Sequence, residues 1–115
     1  MSVTTRTAWL LALLLPLLGG WLAGCGDSDR ITVGSKKFTE SVILGEIAAA
    51  LVRDTGREVT HRRELGGSRV LFSALERGDI DIYPEYTGTL RAELLASETL
   101  GSDDELRAAL AQRGI

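Results

Sequence analysis

The sequence predicts an α/β fold built on a parallel sheet, and three observations carry that prediction. Stretches of period two and period 3.6 alternate along residues 30–114, glycine or proline stands at almost every change of period, and the connections are short. Short links between alternating strands and helices imply right-handed crossovers between parallel neighbours.

Arg30-Ile31-Thr32-Val33-Gly34 alternates polar and apolar residues with β-branched types and reads as a strand that ends in a loop. From Thr39 the period becomes helical. Ile43, Ile47 and Leu51 form a stripe that predicts the core face, Leu44 and Ala48 flank it, Thr39 or Ser41 can cap the start, and Gly56 ends the helix. Glu58–Leu65 has weaker strand character, with Val59 and Leu65 as its apolar residues, and predicts an edge or poorly covered strand. Ser68 can cap a second helix with Leu71, Phe72 and Leu75 inward and Gly78 as its stop.

Asp79-Ile80-Asp81-Ile82-Tyr83 returns to period two, and Pro84 ends it. Thr89–Ser97 reads as helical. Ser102-Asp103-Asp104-Glu105 is a capping-box pattern that opens a last helix through Leu106, Leu110 and Ala111 to Gly114. The predicted order is β-α-β-α-β-α-α. In open parallel sheets ligands bind beyond the carboxyl ends of the strands, which directs attention to the loops Gly34–Thr39, Gly66–Ser68 and Pro84–Thr89.

Composition narrows the function classes. The 115 residues hold 13 Lys plus Arg and 16 Asp plus Glu, a net charge of -3 with no basic stripe, so nucleic acid is not an expected partner. One Cys excludes an internal disulfide and a multi-Cys zinc site. His61 has no second His and no nearby Cys to share a metal with, and reads as a surface residue. Gly-Ser-Lys-Lys lacks the spacing of a nucleotide-binding loop, and no cofactor is implied. Asp79, Asp81 and Glu85 read at first as a carboxylate cluster for acid–base or metal chemistry, but a solvated strand face or a partner contact accounts for the two aspartates equally well. An exported hydrolase would need a nucleophile–base pair; Ser35 and Ser68 have His61 alone available, and nothing in the sequence places it beside either.

Residues 1–24 are a different polymer. They contain no acid, one base (Arg6), both tryptophans and the apolar run Ala8–Leu18, about half the ~20 residues a membrane-crossing helix needs and interrupted by Pro16. That pattern predicts an export signal. Its boundary, Leu22-Ala23-Gly24-Cys25, resembles the lipobox of bacterial lipoproteins, which implies cleavage before Cys25, a lipidated Cys25 and a short linker over residues 25–29. The domain would then be tethered to a membrane on its non-cytoplasmic side.

Val33-Gly34-Ser35-Lys36-Lys37-Phe38-Thr39-Glu40, then Ile43-Leu44-Gly45-Glu46, Gly66-Gly67-Ser68 and Asp81-Ile82-Tyr83-Pro84-Glu85-Tyr86-Thr87-Gly88-Thr89 together resemble the substrate-binding lipoproteins of osmoprotectant ABC importers, the receptors for glycine betaine, choline and carnitine. The resemblance covers residues 30–115. It implies a lobe of the periplasmic-binding-protein type II fold, of which this stretch would be the N-terminal portion of an incomplete first lobe. It also implies no enzymatic chemistry, a quaternary-ammonium ligand, and ABC permease subunits as partners.

Tyr86 is the expected ring of an aromatic box, with Tyr83 as a second candidate that strand alternation places in phase with Asp79 and Asp81. A trimethylammonium group has no N–H to donate, and a ring face attracts it by about 0.5–2 kcal/mol. Lys36 or Lys37, the Thr89 hydroxyl, and the Ser35 and Ser68 segments are the expected donors to a ligand carboxylate. The competing expectation is a stand-alone lipoprotein with a structural or protein-interaction role and no solute affinity.

Overall fold

The structure, a computed structural model, describes residues 30–115; Cys25 and the export signal lie outside the described residues. Strand β1 (Arg30–Lys36) leads through helix α1 (Thr39–Asp54) to β2 (Glu58–Gly66), and helix α2 (Ser68–Glu76) follows. A short helix α3 (Thr87–Thr89) runs into a π-helical turn (Leu90–Leu94), and α4 (Asp103–Ala111) closes the order. Glycines in the left-handed region end the first two helices, Gly56 at φ 85° and Gly78 at φ 75°. The predicted capping box is present: the Ser102 hydroxyl accepts from Glu105 N–H at 3.2 Å, and Glu105 Oε2 accepts from Ser102 N–H at 2.9 Å.

The sheet is parallel, as predicted. β1 pairs with β2 from Arg30↔Glu58 to Gly34↔Arg62; β1 then advances to Lys36 while β2 advances to Gly66. The extra β2 residues form a bulge, with Glu64 at φ 54°, that carries Gly66 and Gly67 round to the end of β1. On the far side of β1 the predicted strand over Asp79–Tyr83 contracts to one bridge, Val33↔Ile82. A side chain explains the contraction, because Asp81 Oδ2 accepts the Thr32 N–H at 2.7 Å and takes one place that a ladder carbonyl would fill. Gly34 N–H to the Ile82 carbonyl at 2.8 Å still ties the segment down, so β1 is central and β2 an edge.

Helix α1 corrects the sequence reading. Its buried residues are Ser41, Gly45 and Ala49, whereas Ile43, Ile47 and Leu51 are each more than half exposed and Leu44 is exposed as well. The physical reason is proximity. A Cβ on Gly45 would lie 2.6 Å from His61 Nε2 and 3.1 Å from the Ser35 Cβ, so the helix meets the sheet through a face of small residues. The cap also differs: Phe38 is the N-cap without a side-chain bond, and the Ser41 hydroxyl accepts the Lys36 N–H at 2.8 Å instead.

Two apolar clusters underlie the rest. Leu71, Ala74 and Ile80 form one beside the sheet; Phe72, Leu95, Leu106 and Ala109 form the other between α2 and α4, and Tyr83 packs against both. The helix predicted over Thr89–Ser97 is shorter than expected and widens into the π turn, where Leu95 N–H reaches the Leu90 carbonyl at 2.8 Å and Leu95 enters the core. Among the described residues no helix is long and apolar enough to cross a membrane.

Gly45→Ala is expected to lower unfolding free energy by about 1–3 kcal/mol, because the methyl group meets a buried ring rather than open space. Urea unfolding of the two chains measures this, and equal midpoints would show that α1 does not approach the sheet so closely.

Candidate functional site

The carboxyl end of β1 alternates its side chains between two polar assemblies. Ser35 turns toward α1 and β2, while Lys36 turns toward α2 and the Pro84–Tyr86 loop. The Lys36 ammonium lies 2.5 Å from Glu85 Oε1 and 3.2 Å from the Ser68 hydroxyl, and both side chains of the ion pair are buried, at 5% and 6% exposure. It also stands 4.9 Å from the centre of the Tyr86 ring and 5.5 Å from that of Phe38. Removing an ammonium from water costs several kcal/mol, and this shell of carboxylate, hydroxyl and two rings offsets it.

Each partner arrives for a local reason. The β2 bulge delivers Gly66, whose carbonyl accepts the Lys37 N–H at 3.2 Å, and Ser68 follows as the first residue of α2. Gly67 is the N-cap there, so Ser68 does not act as the predicted cap and its hydroxyl serves Lys36. Glu85 follows Pro84 in a stretch that is neither helix nor strand, and its Oε1 also accepts the Tyr86 N–H at 2.9 Å, which ties the ring next to the ammonium. A hydrogen bond to Glu40, aided by some burial, holds the Tyr86 phenol above its ordinary pKa while the ring remains 38% exposed.

The structure brings together three of the residues singled out in sequence: Lys36, Ser68 and Tyr86. Lys37, beside them in the chain, is exposed. Thr89 ends α3 with no hydrogen bond tying it to the cluster among the described residues. The Ser35 hydroxyl faces away, completely buried against His61. Tyr83 serves the core; its hydroxyl and Glu85 Oε2 are buried without a hydrogen-bond partner, and burial, then the Glu85 carboxylate, push its pKa upward. Asp79 pairs with Arg77, at 2.8 Å.

Three contributions were missed. Phe38 closes the basic motif and supplies a second ring, Glu85 is the ammonium's counter-ion, and both signals lay inside motifs already singled out. His61 is the larger correction. It is not a surface residue: its side chain is 4% exposed, with Nε2 3.0 Å from Ser35 Oγ and Nδ1 2.8 Å from Glu46 Oε2. The fold therefore places His61 beside Ser35 after all. That serine is nevertheless sealed from solvent, so the constellation gives no substrate a nucleophile.

Residues 29–114 match the family described as the substrate binding domain of ABC-type glycine betaine transport systems. The chain is 40% identical over 61 residues to the glycine betaine-binding protein YehZ of Escherichia coli, covering 53% of this chain and 20% of that protein. It is 33% identical over 108 residues to the carnitine transport binding protein OpuCC of Listeria monocytogenes, covering 92% of this chain and 33% of the relative. The solved structure of apo YehZ from Escherichia coli is similar with a TM-score of 0.57 and 29% identity, over 69% of this chain and 29% of that one. The chain thus spans between a fifth and a third of the length of these curated relatives.

Removal of Glu85 as a partner tests the assembly. Glu85→Ala is expected to cost about 3–5 kcal/mol by leaving the Lys36 ammonium buried and unpaired, and the double variant Lys36→Met, Glu85→Ala should recover part of that loss. A double-mutant cycle by urea unfolding measures the coupling; additive losses would mean that the pair is not formed.

Proposed function

The chain belongs to the family of substrate-binding domains of ABC-type glycine betaine transport systems, and from that premise we propose that it captures a quaternary-ammonium solute outside the cell membrane and delivers it to an ABC permease. The observation that carries the proposal is the Tyr86 ring held, still partly exposed, beside Lys36 at the carboxyl end of β1. The family is one of transport binding domains and not of enzymes, in accord with a site built from a ring and fixed charges. Relatives named for glycine betaine and for carnitine support a solute that carries both a quaternary cation and a carboxylate.

The two ends of such a solute ask for different partners. Its cation is attracted to the Tyr86 face, with Phe38 as a neighbouring wall. Its carboxylate is served by Lys36, which has three N–H groups and gives two of them to Glu85 and Ser68. Lys37, Thr89 and the amides that open α2 are further donors within the same loops. Ser35 supports the loop from behind. In this reading Tyr83 holds the core beneath the loop rather than touching solute. In this reading a lipid on Cys25 tethers the domain to a membrane on its non-cytoplasmic side, which keeps it in the compartment from which the permease takes up solute.

Tyr86→Ala is expected to weaken glycine betaine binding by about 2- to 30-fold, matching about 0.5–2 kcal/mol for one ring, while Tyr86→Phe retains most of it. Isothermal calorimetry reads both, and equal affinity in the alanine variant would remove Tyr86 from the site. For the anchor, Cys25→Ala should abolish incorporation of labelled fatty acid in cells. Undiminished labelling would refute the lipobox reading.

A further inference from the structure

Behind β1, on the side away from Lys36, Glu46 Oε2, His61 and Ser35 Oγ form a line of hydrogen bonds 2.8 and 3.0 Å long. The charged group that faces the imidazole is Glu46, from α1. Behind Glu46 stand Arg63 Nη2 of β2 at 3.0 Å and Arg53 Nη2 of α1 at 3.5 Å. From β1 the imidazole meets the neutral Ser35, and opposite it on α1 Gly45 presents no side chain.

Hydrogen bonds from His61 and Arg63 bring the Glu46 pKa down to about 2, so its carboxylate is ionised at any pH near neutral and only accepts. His61 Nδ1 must then carry a proton. In the neutral ring Nε2 is consequently an acceptor, and the Ser35 hydroxyl must donate to it. Gain of a proton makes Nε2 a donor as well; Ser35 Oγ then accepts and its own hydrogen has to turn away. Ser35 cannot ignore that change, because it is completely buried between Gly34, bonded to Ile82, and Lys36, whose N–H is bonded to Ser41.

We propose that Glu46, His61 and Ser35 are a proton-sensitive positioning relay, in which the charge on His61 sets the direction of the Ser35 hydroxyl and hence the seating of the β1 end that carries Lys36. These are positioning residues, since none of them reaches the exposed face of Tyr86. The relay itself stands on the hydrogen-bond geometry and the ionised Glu46 carboxylate; its effect on solute affinity rests on the functional reading given above.

His61 is the lone histidine of the chain, so its ring gives one set of nitrogen resonances to follow by NMR. The neutral ring is expected as the Nδ1–H tautomer, and the Lys36 and Ser41 amides should titrate with the His61 midpoint. Ser35→Ala should abolish that linkage while His61 still titrates, and Glu46→Gln should let the neutral ring populate the Nε2–H tautomer. A wild-type ring in the Nε2–H form, or a Lys36 amide indifferent to His61, would overturn the relay, and the wild-type spectra decide this even if a variant fails to fold. Glycine betaine titrations on either side of the midpoint separate the two ideas. Affinity that depends on pH in the wild type and loses that dependence in Ser35→Ala supports both. No binding at either pH, with the NMR signatures intact, would remove the solute reading and leave the relay standing; binding that ignores pH would remove the relay's influence on the site.

Discussion

A buried ammonium group is the constraint on which the rest of the structure depends. Lys36 sits at the end of a central strand, where both faces are covered, and a charge there is tolerable only if acceptors and rings converge on it. Three separate stretches answer that demand. The β2 bulge supplies Ser68, the chain after Ile82 supplies Glu85 and Tyr86, and the start of α1 supplies Phe38. Each belongs to a loop at the carboxyl end of a strand, the place where an open parallel sheet offers room for a ligand.

The neighbouring residue faces the opposite way and imposes a second demand. Ser35 and His61 require α1 to lie close, and only small residues at positions such as Gly45 permit the approach. One dipeptide thus organises both sides of the strand, with a buried ammonium on one side and the Ser35–His61–Glu46 hydrogen-bond line on the other. Strand alternation makes this possible, since adjacent residues cannot share a face. The same geometry links the two assemblies mechanically, because the Lys36 amide is held from the α1 side while its ammonium is held from the α2 side.

Much of the framework was legible in the residues. Glycines marked where α1 and α2 stop, a capping box marked where α4 starts, and period two marked β1, while short links between alternating periods marked the parallel arrangement. Orientation was harder. Hydrophobic periodicity assigns the bulkiest stripe to the nearest layer, yet in α1 contact is decided by how near the helix can come, and Ile43, Ile47 and Leu51 face outward. Polar residues in strands mislead in the converse sense: His61 reads as exposed because its partners, Glu46 and Ser35, lie across two other elements. The strand over Asp79–Tyr83 shrank because a side chain, invisible to periodicity, took a ladder position. That Lys36, Ser68 and Tyr86 share one loop cluster was readable from motif and loop position, whereas the choice between Lys36 and Lys37 as its member depended on the bulge that fixes where β1 ends.

The Lys36–Glu85 contact joins residues 49 apart in the chain, and this separation has a kinetic consequence. Two crossover units and the return past Ile82 must be in place before the ammonium can lose its water at no net loss. The pair is therefore a late reward in folding, and the entropy of closing those loops precedes it. A chain that has formed only β1, α1 and β2 carries a hydrated, mobile lysine at the end of a strand. Completion of these loops and completion of the sheet are then a single event, so no partly folded form of this segment holds the Tyr86 ring beside a buried, paired Lys36 ammonium.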